Sequence, residues 1–364
     1  MLSKPIRATL AVATAIIGSA TCGAQAQEPQ KFYQLQSAVE LGGSGTSWDH
    51  IDYDQNKKLV YLSRRADGLT VVDAKTGKVV ANVANAIGTG SVAFASKLDR
   101  GFTANTDGST SVFKLSDFSP VDRISFGDNF DGVVYDEATN ILAYQQADNS
   151  KELLIDAATM KLAATIEVEG DELERPALDG KGNLYLPLRD KSTVYKIDLK
   201  AKKIVAHWDV SEKCTEPSGA AYDATTDRLF LGCRGKQTNP QLVIVDGASG
   251  KIVANAPIGR GVDDVIFDPA TKLIYTANGL DANIVVYKQG DGDKYSLSEA
   301  FSTRAGMRVM RLDTETKQIY GMTADSTVDP SKKNLAAISP FYPNKIFPNT
   351  FVMLTYGRGT PANN

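Results

Sequence analysis

Residues 264–278 read DVIFDPATKLIYTAN, and variants of this stretch return six more times along the chain. Each copy has an apolar strand, a short polar turn that Asp usually opens, and a second strand of Leu/Ile–Tyr/Phe type. The spacings between successive copies are 41, 41, 43, 44, 45 and 45 residues, measured at one anchor position per copy: Tyr53, Phe94, Tyr135, Leu178, Tyr222, Phe267 and Leu312. Seven copies at near-constant spacing predict a repeat architecture.

Two further strands follow in each copy, as at Leu69–Val72 and Leu242–Val245, with a tight Asp-containing hairpin after the third strand. Four antiparallel strands make one blade, so the chain is predicted to be an all-β, seven-bladed β-propeller. The last copy lacks a fourth strand. Residues from Phe32, FYQLQSAVELGG, are expected to supply it by pairing with Phe351–Tyr356, which leaves no open edge at the closure.

The first 26 of the 364 residues have the pattern of an export signal. Lys4 and Arg7 precede an uncharged run from Ala8 to Ala20, and Ala24-Gln25-Ala26 is a small-x-small cleavage site. We therefore expect residues 1–26 to be a signal peptide, residues 27–357 the propeller, residues 358–364 a flexible tail, and the mature protein to be periplasmic. An uncleaved anchor and a lipoprotein attached at Cys22 are the alternatives.

The composition indicates an ordinary globular protein, with 42% hydrophobic and 23% charged residues. Removing the leader lowers the 40 basic residues to 38 against 43 acidic ones, a formal charge of −5, which gives no global attraction to nucleic acid. No other long apolar segment occurs, so we expect no transmembrane segment in the mature chain, and a monomer. Nucleophile-elbow, zincin, haem-attachment and phosphate-loop motifs are absent from the sequence.

Cys214 and Cys233 remain after the leader is removed. Antiparallel pairing around the turn 223–227 places residue 218 roughly opposite Cys233, so both thiols reach the same side of the fifth blade. A structural disulfide is the prediction, and a redox-active pair or two free thiols are the alternatives.

The segments Ile274–Asn278 and Gly101–Asn105 resemble the Tyr-Val-Thr-Asn signature of YVTN-repeat propellers, and the Asp-x-x-(Thr/Ser)-Gly-Lys hairpins are similar to theirs. The chain most resembles the YncE-like periplasmic group, over about residues 32–357. This resemblance implies a seven-bladed propeller. It also implies a role drawn from a diverse set, which includes single-stranded DNA binding and accessory roles in envelope or redox systems.

Two rings of residues are expected at the mouth of the central channel. The first ring lies four residues before each anchor: Asp49, Gly90, Asp131, Glu174, Ser218, Asp263 and Arg308. The second lies one residue later: His50, Ser91, Gly132, Arg175, Gly219, Asp264 and Val309. The carboxylates of Asp49, Asp131, Glu174 and Asp263 form a candidate site for a divalent cation such as calcium. The alternative is a hydrated polar mouth.

Loops after the second strands reach the same face and add Arg64, Arg65, Arg189, Arg234 and Lys236. Together with Trp48 and Phe130 as stacking surfaces, these residues suggest a single-stranded nucleic-acid site, which interleaved Asp residues weaken. The full candidate ligand-binding set is Trp48, Asp49, His50, Arg64, Asn105, Asp131, Glu174, Arg175, Arg189, Arg234, Asp263, Asp264, Asn278 and Arg308.

Function is open between two classes. The first is a non-enzymatic module that binds a small ligand, a metal or an envelope partner through the channel mouth. The second is a metal-assisted, lactonase-like hydrolase or lyase in which His50 or Glu174 moves a proton. His207, the other histidine, belongs to an outermost strand and is expected to be structural.

Overall fold

The computed structural model describes residues 32–146, 149–329, 331 and 345–359. The predicted signal peptide, residues 1–26, and the end of the tail, residues 360–364, lie outside this range. The described residues form seven four-stranded antiparallel sheets, one per sequence copy, in a β-propeller. They contain no α-helix, and their 3₁₀ segments are short, as at Ser96–Leu98 and Gly235–Gln237. None of their helices is long and apolar enough to cross a membrane.

The strands are numbered β1 to β30 along the chain, and β1 is Tyr33–Glu40. Blade one contains β2 (Ile51–Asp54), β3 (Leu59–Ser63), β4 (Leu69–Asp73) and β5 (Val79–Asn82). Blade two contains β6 (Thr89–Ala95), β7 (Arg100–Asn105), β8 (Ser109–Lys114) and β9 (Pro120–Ser125). Blade three contains β10 (Gly132–Asp136), β11 (Ile141–Gln146), β12 (Lys151–Asp156) and β13 (Lys161–Glu167).

Blade four contains β14 (Ala177–Leu178), β15 (Asn183–Leu188), β16 (Thr193–Asp198) and β17 (Lys203–Asp209). Blade five contains β18 (Pro217–Asp223), β19 (Arg228–Cys233), β20 (Gln241–Asp246) and β21 (Ile252–Pro257). Blade six contains β22 (Val262–Asp268), β23 (Leu273–Asn278), β24 (Asn283–Gln289) and β25 (Tyr295–Ser302). Blade seven contains β26 (Met310–Leu312), β27 (Ile319–Thr323) and β30 (Val352–Arg358). Beside it, β28 (Ser326–Thr327) pairs with β29 (Lys345–Ile346).

The N-terminal strand closes the ring as predicted. β1 pairs antiparallel with β30 from Tyr33 opposite Arg358 to Glu40 opposite Val352, and so becomes the outermost strand of blade seven. The Tyr33 ring stacks on Phe301 of blade six at 5.0 Å between centroids. The two ends of the propeller are thereby joined within one sheet.

Apolar side chains from facing blades fill the spaces between them. The core consists of seven clusters, one at each interface between neighbouring blades. For example, Leu154 of blade three packs with Leu184 and Leu186 of blade four, all fully buried. Burial on both faces of the inner strands explains their runs of Val, Ile and Leu, which lack a polar alternation.

In six blades an Asp ends the inner strand or directly follows it, and this Asp holds the turn. Its carboxylate accepts hydrogen bonds from backbone N–H groups or hydroxyls two to four residues later, at Asp54, Asp136, Asp179, Asp223, Asp268 and Asp313. Copy two carries Ala95 instead, and there the 3₁₀ helix Ser96–Leu98 makes the turn.

The predicted disulfide is confirmed. Cys214 and Cys233 are bonded, with their Cα atoms 5.1 Å apart, and both are fully buried. Cys233 lies opposite Pro217 rather than Ser218, because Ser218 sits in a β-bulge of β18. The bond holds the segment before β18 against the end of β19.

Candidate functional site

The inner strands all begin at one end of the central channel, where the two predicted rings lie. Irregular pairing at this end helps to aim the side chains. The register shifts at Gly90, Ser218 and Asp263, three positions of the first ring. Bulges commonly redirect side chains next to binding sites. Here the bulge in β22 lets Asp263 and Asp264 contact different arginines.

The four first-ring carboxylates lie beside four arginines, and we call these eight residues the mouth: Asp49, Arg65, Asp131, Glu174, Arg189, Arg234, Asp263 and Arg308. Arg65 of blade one bridges two carboxylates. Its Nη2 atom lies 2.5 Å from Oδ2 of Asp49 and 3.8 Å from Oδ1 of Asp131 in blade three.

On the other side of the mouth, Arg189 of blade four binds Glu174, with 2.6 Å between Nη1 and Oε1. Asp263 of blade six receives two arginines. Arg308 of blade seven donates from Nε to Oδ2 at 2.7 Å, and Arg234 of blade five pairs with Oδ1. Side chains from six of the seven blades therefore take part.

The guanidinium groups are nearer to solvent than most of the carboxylates. The four arginine side chains are 21% to 32% exposed, whereas those of Asp49, Glu174 and Asp263 are 10% to 13% exposed. Asp131, at 32%, is the exception. A molecule arriving from solvent therefore has more access to the arginine side chains than to most of the carboxylates.

Burial changes the proton affinity of the mouth carboxylates. It raises the pKa of Asp49, to which the Asp131 carboxylate adds, and it raises the pKa of Asp131 itself. Burial also raises the pKa of Glu174 to about 8. At Asp263 burial acts in the same sense, but Arg234 and Arg308 outweigh it and hold the pKa below its ordinary value. Near neutral pH Glu174 therefore retains its proton for much of the time, so the mouth carboxylates do not fully cancel the guanidinium charge.

Below the mouth a second charged network crosses the channel, and we call it the plug: Asp52, Arg175, Asp264 and Arg311. Arg175 of blade four donates from Nη2 to Oδ1 of Asp52 in blade one at 2.6 Å. Arg311 of blade seven donates to Oδ2 of Asp264 at 2.6 Å and to Oδ1 of Asp52 at 3.3 Å. Because blades one and four lie on different sides of the ring, these ion pairs obstruct the channel.

Both plug carboxylates also join neighbouring blades. Asp52 accepts a hydrogen bond from the backbone N–H of Val92 in blade two at 3.0 Å. Asp264 accepts one from the N–H of Met310 in blade seven at 3.1 Å. The inner strands have no neighbour on their channel side, so these contacts satisfy buried donors that would otherwise lack a partner.

His50 lies between the mouth and the plug. Its Nε2 atom is 3.8 Å from Oδ1 of Asp49, although the alternation of strand side chains predicts that these neighbours point apart. Burial, and then the positive charge of Arg175, lower its pKa to about 3. The imidazole is therefore uncharged at neutral pH and lacks the acidic imidazolium proton that a histidine general acid gives up.

Several predicted site residues are not at the mouth surface. Arg64 is buried, where it donates to the Gly42 carbonyl and to Asp67 and stacks on Phe351. Asn105 and Asn278 are fully buried and hydrogen-bond within their own blades, to Ser109 and Asn283 among others. Their side-chain amides make hydrogen bonds at the ends of strands and are not accessible to a ligand.

The two rings predicted to stack on bases are buried as well. Trp48 packs edge-on against Phe351 at 5.1 Å and lies beneath the guanidinium of Arg308 at 5.0 Å. Phe130 is fully buried against Tyr144. The prediction that they are accessible stacking surfaces is wrong, because the neighbouring blades cover both rings. His207 lies on the exposed outer strand β17 and stacks on Tyr195.

The carboxylates proposed as metal ligands pair with arginines instead. Among the residues that the structure describes, no group of three or more His, Cys, Asp and Glu side chains is arranged to hold a metal ion. Arginine guanidinium groups pair with the carboxylates that were predicted to bind a divalent cation. Three of the four arginine partners, Arg65, Arg189 and Arg234, come from loops whose reach the repeat does not specify.

Asp52 and Arg311 are charged residues that the ring positions do not include. Both lie one residue before an anchor, where the other copies carry Ala93, Val134, Ala177, Ala221 and Ile266. Two opposite charges at an otherwise apolar position are a signal that the sequence does contain, and it points to a buried ion pair.

Comparison with known proteins supports the fold and no more. No family model and no curated protein matches the chain. A solved structure titled Kuenenia stuttgartiensis hydrazine synthase superposes with a TM-score of 0.67 at 17% identity, over 78% of this chain and 94% of that one. A chain in the crystal structure of a mitotic checkpoint complex gives 0.68 at 12% identity, over 88% and 95%. The resemblance to YVTN-repeat propellers stays a prediction.

Proposed function

We propose that this protein is an exported, periplasmic binding module whose channel mouth holds a small ligand by its anionic groups. The observation that carries the proposal is the convergence of four mouth arginines, whose side chains are more exposed to solvent than three of the four carboxylates they pair with. Guanidinium groups bind carboxylates and phosphates with paired, directional hydrogen bonds.

The plug supports binding rather than passage. Arg175 and Arg311 join carboxylates of two blades across the channel just below the mouth. A ligand entering from the mouth would meet this neutralised network as a floor. The mouth thus offers several arginines above a closed channel, which suits a compact polar molecule.

Export is supported by two independent features. The first 26 residues carry the pattern of a cleaved signal, and the Cys214–Cys233 disulfide suits an oxidising compartment. Cys233 also precedes Arg234 directly, so the bond fixes the strand end from which one mouth arginine projects.

Isothermal titration with succinate, citrate and inorganic phosphate tests the mouth. We expect at least one of them to bind, with an affinity about tenfold lower in Arg189→Met and in Arg308→Met, since one charge-assisted hydrogen bond contributes about 1.5 kcal/mol. Arg123→Met is the matched control, because it removes an ion-paired arginine from the outer strand β9. Absence of binding at millimolar concentration, or equal affinities in all variants, would contradict the proposal.

An enzyme is the second candidate, and Glu174 is the residue that favours it. A carboxyl group whose pKa is raised to about 8 by burial exchanges protons near neutral pH, as a general acid or base must. Turnover of a lactone or ester that is lost in Glu174→Gln, with the fold intact, would support this class over a binding module.

A further inference from the structure

We propose a second ligand site in the lower part of the channel, which takes a small monocarboxylate with an apolar body. The site is a cavity of about 300 Å³ bordered by the inner strands of blades four to seven. Gln55 and Thr314, from the turns after the inner strands of blades one and seven, line its far end, away from the mouth. The proposal does not depend on what the mouth binds.

The cavity exists because blade five has an inner strand of very small residues. Gly219, Ala220 and Ala221 stand where blade one carries His50, Ile51 and Asp52. The missing side-chain volume leaves room beside the plug. A space of this size is at the lower limit of ordinary small-molecule sites and suits a compact molecule.

The wall of the cavity is part apolar and part polar, and the polar part includes Asp263 and Asp264, whose carboxylates pair with arginines. Ala220, Ala221, Ile266 and Phe267 line it, and Ile266 and Phe267 are only partly buried although they pack on their neighbouring blades. Large apolar side chains that remain accessible inside a channel favour a ligand with an apolar surface of its own.

At one end of the cavity lie the guanidinium groups of Arg175 and Arg311. Arg175 uses Nη2 for Asp52, while its Nη1 is buried and makes no hydrogen bond within the described protein. A guanidinium group has five N–H donors, so Arg175 retains donors for an incoming acceptor. The ligand therefore needs a hydrogen-bond acceptor, such as a carboxylate oxygen, at the end that faces Arg175, and an apolar body where it contacts Ile266 and Phe267.

A carboxylate fits this end of the cavity because it accepts hydrogen bonds from the N–H groups that Arg175 does not use. Asp52 and Asp264 already pair with the two plug arginines, so the ligand carboxylate binds as an additional acceptor at Nη1 of Arg175. Its apolar body covers Ile266 and Phe267.

Isothermal titration with benzoate, and with benzamide as its neutral isostere, tests the site. We expect benzoate to bind and benzamide to bind at least tenfold more weakly. Arg175→Met, which removes the charge, and Ile266→Phe, which fills the cavity, should each weaken benzoate at least tenfold. Arg123→Met on the outer strand β9 should leave its affinity unchanged.

Three outcomes would overturn the proposal: no benzoate binding at millimolar concentration, equal binding of benzamide, or benzoate binding that Ile266→Phe leaves unchanged. If Arg175→Met does not fold, Ile266→Phe alone decides. Benzoate affinity that falls in Arg308→Met but not in Ile266→Phe would assign the ligand to the mouth and reject the cavity. A negative benzoate result does not change the interpretation of the succinate, citrate and phosphate titrations, so the two proposals are tested independently.

Discussion

At the scale of single residues, the charged groups of the plug and of the mouth differ in how much solvent reaches them and screens their charge. The plug is mostly buried, so its net contribution to stability is expected to be small, while loss of one partner leaves an uncompensated charge. The mouth arginines keep contact with water, so a change of partner costs them less than it costs the plug arginines. Arg–Asp ion pairs thus make the buried plug rigid, whereas in the more exposed mouth they leave the arginines able to bind a ligand.

Glu152 is a buried acid outside both networks. It is fully buried opposite Gln145, whose Nε2 donates to Oε1 of Glu152 at 2.6 Å, and its second oxygen has no hydrogen-bond partner within the described protein. Burial raises its pKa from 4.5 to about 8. Because the folded protein holds this proton more tightly than the unfolded chain, the associated stability is complete below about pH 4.5. It is lost as the pH rises to about 8.

Glu152→Gln keeps the shape and the acceptor oxygen but cannot ionise. We expect the variant to gain stability over the natural protein as the pH rises from 4 to 8, by roughly 4 kcal/mol over that range. Urea denaturation at several pH values measures the difference. Glu167→Gln, at an exposed position of the adjacent strand β13, is the control. A stability difference that does not change with pH would contradict this account of Glu152.

At the scale of elements, the ends of the strands carry most of the specific contacts. In six blades the inner strand ends at or just before an Asp that holds the following turn, and the inner strands begin at the mouth, where bulges and loop arginines meet. The Cys214–Cys233 bond links two such ends within blade five. It fixes the loop before β18 against the end of β19, from which Arg234 reaches Asp263.

Removing this bond should loosen blade five at the mouth. Replacing both cysteines by alanine is expected to lower the free energy of unfolding by about 3 kcal/mol, in line with a closed loop of this length. Urea denaturation of the variant, and of the natural protein with and without reductant, measures the loss. If the reductant destabilises the alanine variant as much as it does the natural protein, the effect does not come from this disulfide.

At the scale of the whole molecule, closure of the ring depends on β1. It pairs along the length of β30, and the backbone N–H of Tyr33 donates to Oε1 of Glu299 in blade six at 2.7 Å. Without it, β30 becomes an open edge and the Tyr33 contacts with blade six disappear.

Removing residues up to Glu40 should therefore lower the melting temperature by about 10 °C or more and promote aggregation. Removing residues only up to Lys31 leaves β1 intact and serves as the control. Calorimetry and light scattering follow both changes. Equal melting temperatures for the two truncated forms would show that β1 does not close the ring.

The sequence was sufficient for the fold because the repeat specifies it. Strand spacing, turn residues and the unpaired ends predict seven blades, the closing strand and the disulfide, and all three are confirmed. The candidate site was harder to predict. The acidic ring follows from repeat positions, but Arg175 reaching Asp52 across the channel depends on distances between blades, which no local pattern encodes. Burial of Trp48 and Phe130 was missed for the same reason.

The central claim is that the mouth favours anions over cations, and soaking crystals with anomalous scatterers of either sign tests it directly. Selenate is expected to appear beside at least two of Arg65, Arg189, Arg234 and Arg308, and a lanthanide ion is expected to be absent from the mouth. A lanthanide bound between Asp49, Asp131 and Asp263, with no selenate there, would contradict the claim and restore a metal site.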